Sequence, residues 1–172
     1  YERLANQFDE LYEMPLSVGS LVRFNNEAYR LLEWFEGYVK RQLLASQVIH
    51  ADETGINVGG KRHWLHNASS ERFTLIYPHQ KRGTEAMDEV GVLPEFTGVI
   101  CHDHWKPYYT YKQASHALCN AHHLRELTAV METENHQWAK DMHELLCQMN
   151  EQVRLAGGKP PPKQAQQWRR RG

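Results

Sequence analysis

Two short, β-branched apolar runs, each closing on an aspartate, do most to limit what this chain can become. SQVIHADETG carries Asp52, and GVICHDHW carries Asp103, 51 positions later. Runs of this length and composition read as buried strands. A carboxylate at the end of one is expensive to desolvate unless something positive meets it. If the two strands are neighbours, the acids stand roughly 5 Å apart, the spacing of paired strands. At that distance two carboxylates share a divalent cation, and Mg²⁺ held by acidic oxygens is the signature of phosphoryl transfer. The plainer reading is a pair of loop-end aspartates, each capping the turn that follows.

The periodicity supplies the elements around them. Leu4, Phe8, Leu11 and Tyr12 lie at helical spacing before Pro15 breaks the run. Ser17 is placed to cap a second, long helix with the stripe Leu21, Phe24, Ala28, Leu31, Leu32, Phe35, Tyr38 and Val39. Such a pair suits a helix-turn-helix, although plain packing is its commoner use. Residues 48–56 predict a strand, Gly59-Gly60 a tight hairpin turn, 62–68 the returning strand and 71–79 a third. Thr84 is placed to cap a short helix over 85–90, closed by Gly91 and Pro94. A fourth strand spans 97–103, a short helix or turn lies near 105–111, and a brief fifth strand covers 115–119. One long helix is expected from Asn120 to about Leu155. Hairpins keep the first three strands adjacent. A crossover through the 84–90 helix returns the fourth parallel to the first, on its free side, which sets Asp52 beside Asp103. The expected organisation is an N-terminal helical segment (1–45), a core (46–156) and a flexible tail (157–172).

Composition narrows the class. Of 172 residues 41% are hydrophobic and 24% charged, as in an ordinary soluble globular protein. No run approaches the roughly 18 apolar residues that span a bilayer, so no membrane is expected as a partner. Net charge is −1, which argues mildly against nucleic acid. The basic pairs Lys40-Arg41, Lys61-Arg62 and Lys81-Arg82, and the run Arg169-Arg170-Arg171, read as solvated surface. Three cysteines, Cys101, Cys119 and Cys147, form no disulfide framework and suggest a reducing, cytoplasmic setting. A start at Tyr1 inside a helical pattern suggests a piece of a longer protein.

The words ADETG (51–55), GGKRHWLH (59–66), HDHWKPYY (102–109) and CNAHHLREL (119–127), in that order, resemble DDE transposases of the insertion-sequence sixty-six group. The Pro15, Leu16, Ser17, Gly19 turn is similar to the family's upstream region, and the likeness runs over about residues 10–130. The resemblance implies an α/β, ribonuclease-H-like fold: a mixed five-stranded sheet flanked by helices and preceded by a helical segment. It implies a bacterial, cytoplasmic protein, nucleoid-associated when bound, that cleaves transposon ends, joins them to target DNA and can assemble as a homo-oligomer. Asp52 and Asp103 match the family's first two catalytic, metal-binding acids. The third, a downstream Glu in an asparagine-rich segment, has no counterpart in this chain, which is therefore expected to be inactive alone. A two-metal Mg²⁺ (or Mn²⁺) site missing one ligand should bind its ions weakly.

Other residues carry lesser expectations. His122 and Arg125 follow the family's third motif and could approach a phosphate, or could pack and pair locally. Trp105, Tyr108 and Tyr109 could stack on unpaired bases, or plug the sheet edge. Glu53 should face away from Asp52 and serve structure, as should Thr54. Cys101, His102, His104, Cys119, His122 and His123 suggest a rival, a zinc-stabilised binding domain. A non-catalytic DNA-binding or assembly module is the other alternative.

Overall fold

A computed structural model describes residues 1–134, 136–158 and 162–169. The chain divides into two units, Tyr1–Ala117 and Leu118–Gly172. The first opens with three helices, α1 (Glu2–Tyr12), α2 (Val18–Leu31) and α3 (Glu33–Leu44). Then come strands β1 (Val48–Val58), β2 (Lys61–Ser69) and β3 (Thr74–His79), helix α4 (Thr84–Val90), β4 (Val99–His102), a 3-10 turn (Lys106–Thr110) and β5 (Ser115–Leu118).

The strands form one mixed sheet in the order β3-β2-β1-β4-β5, with β1 antiparallel to β2 and parallel to β4. The order and direction of the first four strands are those expected above; β5 joins beyond β4. Gly59 and Gly60 turn the first hairpin with φ of 57° and 80°, left-handed values that side-chain-bearing residues rarely adopt. On β1 burial alternates: Ile49 and Ala51 are buried, while Val48, His50 and Asp52 are exposed. The covered face gathers Ile49, Ala51, Ala68, Leu75 and Ile100 against Met87 and Val90 of α4, Val39 and Leu43 of α3, and Phe96. Each of the larger side chains, fully buried, contributes roughly 1.5–3 kcal/mol, so this face anchors the sheet. Edge strand β3 includes Pro78, opposite Leu65.

Several expectations need correction. The helix foreseen beyond Ser17 is two helices meeting at Leu32, whose φ and ψ of −89° and −3° leave regular helical values. A one-residue dihedral change leaves apolar periodicity intact, so the pattern reads straight through it. The acidic Glu33 and Glu36 suit a new helix start. The predicted stripe is mostly uncovered: Leu21 and Val39 are buried, but Leu31, Leu32, Phe24 and Phe35 are exposed. Ser17 does cap α2, its hydroxyl accepting the Ser20 N–H at 3.0 Å. Thr84 does not cap α4: it is the first helical residue, and Gly83 takes the cap.

The second unit holds α5 (Asn120–Thr133), α6 (Gln137–Leu155) and α7 (Pro162–Arg169). The single helix expected over 120–155 is therefore a hairpin. His136, with extended φ and ψ of −72° and 129°, starts α6 afresh. Reversal lets Leu127 and Val130 of α5 meet Trp138, Met142 and Leu146 of α6 around one groove, burying apolar surface that a straight rod would leave wet. Within the 157–172 segment read as a tail, 162–169 are helical; residues 159–161 and 170–172 lie outside the described residues. Among the described residues no helix is long and apolar enough to cross a membrane.

Candidate active site

Parallel pairing of β1 and β4 matches Val48 with Val99, Ile49 with Ile100 and His50 with Cys101. Asp52 and Asp103 each follow the last of these pairs by two residues, Asp52 within β1 and Asp103 just past the end of β4. Asp52 is exposed and Asp103 half-buried. One oxygen of each is held by the backbone: Asp52 Oδ1 accepts the Glu53 N–H at 2.9 Å, and Asp103 Oδ1 accepts the Trp105 N–H at 2.9 Å. These bonds orient both carboxylates and occupy only one oxygen apiece. Asn67, the cross-strand partner of Asp52, adds a buried side-chain oxygen with no hydrogen-bond partner among the described residues. Hard carboxylate and amide oxygens are the ligand type that a hard divalent cation takes.

Glu53 points to the other face, as strand alternation requires. Its side chain is only 1% exposed. Oε1 accepts two bonds from Arg82, at 2.8 Å from Nε and 2.6 Å from Nη2, and Oε2 accepts the Tyr108 hydroxyl. The Arg82 guanidinium lies 4.9 Å from the Trp64 ring centre and 4.2 Å from that of Trp105. Burial, the bond to Glu53, and the charges of Glu53, Asp103 and Asp52 push the Tyr108 phenol far above its ordinary range, so it stays a donor. The two aspartates thus both lie within electrostatic reach of this hydroxyl.

Sequence reasoning left this network out. Lys81-Arg82 reads as solvated surface, and Trp64 as an ordinary strand residue. The available signal was Glu53 itself, because a glutamate whose parity puts it on the covered face must find a cation.

His102, 1% exposed, sits under the same turn. Its Nδ1 bonds the Asp103 carbonyl, its Nε2 meets His116 Nδ1 at 2.9 Å, and His116 Nε2 reaches the Tyr111 carbonyl at 3.2 Å. Both carbonyls only accept, so His102 Nδ1 and His116 Nε2 are the donors of these two outer bonds. Burial holds His102 below the usual histidine range.

The other residues singled out from the sequence fall differently from expectation. Tyr108 stacks on His102 at 4.6 Å with 25° between planes and is 1% exposed, so neither ring face is left for a base; the stacking role expected of it does not fit. Trp105 is half-buried against the core. Tyr109 packs its ring on His102 and His116. In the second unit, Arg125 Nε donates to the Ala121 carbonyl at 3.3 Å, and His122 Nδ1 is buried without a partner among the described residues. The zinc alternative fails: among the described residues no three His, Cys, Asp or Glu side chains are placed to hold a metal. Cys101 and His102 point to opposite faces of β4, and His102 is committed to His116.

With this geometry in place, known proteins can be set beside the chain. A family model described as "Transposase IS66 family" matches residues 1–172. Two solved structures of the HTLV-2 integrase catalytic core domain in complex with magnesium are similar over part of their length. The dimeric form shares 12% identity, covering 54% of this chain and 77% of that one at a TM-score of 0.37. The trimeric form shares 11%, covering 58% and 81% at 0.35. No curated protein matches the chain.

Proposed function

Because the chain belongs to the IS66 transposase family, we propose that it supplies Asp52 and Asp103 as metal-binding acids of a DDE-type core that cuts DNA phosphodiesters and joins the ends to new strands. The observation that supports this reading is the parallel pairing of β1 with β4, whose last pair, His50 with Cys101, comes two residues before each aspartate. Each keeps an oxygen free of backbone bonds, and the orphan Asn67 oxygen beside Asp52 would accept a hydrogen bond from an ion-bound water. These residues fit Mg²⁺ or Mn²⁺. Bound there, the ion would activate the attacking water or 3′-hydroxyl and stabilise the leaving oxygen.

The chain's own share is positional. Asp52 and Asp103 hold the cation, the Glu53 and Trp105 amides fix their orientation, and the His102 ring braces the Asp103 backbone from beneath. Two carboxylates leave most of the coordination to water, so affinity should be weak. DNA, as transposon end or target, is the partner this chemistry requires.

Mn²⁺ titration of the whole chain, followed by electron paramagnetic resonance, tests the reading. The parent should bind and Asp52→Asn or Asp103→Asn should weaken binding by at least about tenfold, as loss of one of two charged ligands implies. Equal affinity in parent and mutants would refute it. Duplex DNA added to the same chain should raise ion affinity if the site works on phosphodiesters, since a phosphate oxygen would complete the coordination.

A further inference from the structure

The ladder between β1 and β4 pairs residues only as far as His50 and Cys101, so no backbone bond between the strands sets the gap between Asp52 and Asp103. Something else must hold it. Glu53, next to Asp52, is joined through its carboxylate to the Tyr108 hydroxyl. Tyr108 belongs to the 3-10 turn after Asp103 and packs edge-on against Trp105, 5.8 Å between centres. Trp105 in turn holds Asp103 Oδ1 through its N–H. Arg82, gripped between two indoles, clamps the other carboxylate oxygen with both arms of its fork. A continuous chain of contacts therefore runs from one aspartate to the other on the covered side of the sheet.

We propose that Glu53 is a positioning residue: with Arg82 and Tyr108 it ties the Asp52 segment to the turn behind Asp103 and sets the spacing of the two acids. The proposal rests on the reading of Asp52 and Asp103 as ion ligands. It explains why a carboxylate is kept on the covered face, where an apolar side chain would fill the same space without a cation to match. Outer groups that orient metal ligands act in this way, and their removal lowers metal affinity without touching the ion.

The sharp variant is Tyr108→Phe, which deletes one hydroxyl and keeps the ring. Its matched control is Tyr111→Phe, because the Tyr111 hydroxyl donates to Asp88 at 2.8 Å, a bond of the same kind that touches neither acid-bearing segment. Mn²⁺ affinity at pH 7 and urea stability are measured on the whole chain for both, beside Asp52→Asn. The expected result is affinity lower by roughly tenfold in Tyr108→Phe and within about twofold of the parent in Tyr111→Phe, at similar stability. Glu53→Gln, which keeps the shape but not the charge, should follow Tyr108→Phe. Unchanged affinity in Tyr108→Phe and Glu53→Gln overturns the proposal, and so does an equal drop in Tyr108→Phe and Tyr111→Phe, the mark of general loosening. If Asp52→Asn also leaves affinity unchanged, the ion-ligand reading itself is what has failed.

Discussion

Replacing Gly98 with alanine tests whether the entry of β4 into the sheet is fixed by steric fit. A Cβ built there would lie 2.5 Å from the Gln47 carbonyl oxygen and 2.6 Å from the Phe96 ring, where ordinary contacts begin at 3.4 Å. Neither neighbour has room to give. The Gln47 oxygen already accepts the Val99 N–H at 2.9 Å, and Phe96 is fully buried. On the other side, Gly98 is held by the Ser115 N–H, 2.9 Å from its carbonyl oxygen. Relief therefore requires β4 to back away from β1. Overpacking of this kind costs about 1–3 kcal/mol, and obstacles of backbone and buried ring put Gly98→Ala near the upper end. With a urea dependence of roughly 1–3 kcal/mol per molar, the unfolding midpoint should fall by about 1 M or more, read from tryptophan fluorescence. Gly83→Ala is the control, because no atom lies within 4 Å of a Cβ placed there. It should stay within about 0.5 kcal/mol of the parent, the usual range for surface changes. Were Gly98→Ala equally mild, the close approach of Gln47 and Phe96 would not be what seats β4, and the register argument for the aspartates would lose its footing.

Two titrating groups give further tests. The Tyr77 hydroxyl, 2.5 Å from Glu89, and the nearby His79 hold the Glu89 carboxyl below its usual value of 4.5. A folded value below the unfolded one means that Glu89 stabilises fully above about pH 4.5 and loses that contribution as pH falls through the folded value. Stability measured between pH 6 and 3 should decline less steeply in Glu89→Gln than in the parent; parallel declines would remove this contact from the account. At Cys119, burial raises the thiol, but the neighbouring His122 ring and the His122 and Ala121 amides outweigh it and leave the thiol below its usual range. More thiolate at neutral pH speeds alkylation, so His122→Ala should slow iodoacetamide labelling of Cys119 followed by mass spectrometry. An unchanged rate would contradict this.

The sheet was largely legible because its signals are local and physical. Gly59-Gly60 can turn a hairpin only one way, apolar runs give strands their period, and a parallel return after α4 leaves β1 one free edge. Setting β4 beside β1 needed nothing more. What stayed hidden depends on partners distant in sequence. Arg82 gives no sign in its own neighbourhood that it will sit between Trp64 and Trp105, 18 and 23 positions away. Tyr108 looks like one of several aromatics until the fold buries it on His102. Helix ends were misread for a related reason. Periodicity records which face is apolar but not where the axis bends, so the breaks at Leu32 and before His136 left no trace in it.

Pro78 bears on how copies of this chain can meet. It lies on the outermost strand at one side of the sheet, and the strand at the other side is only four residues long. A proline has no amide hydrogen to offer a newcomer, and so short a border provides little to bond with. The sheet is thereby discouraged from growing sideways by taking up a strand from another copy.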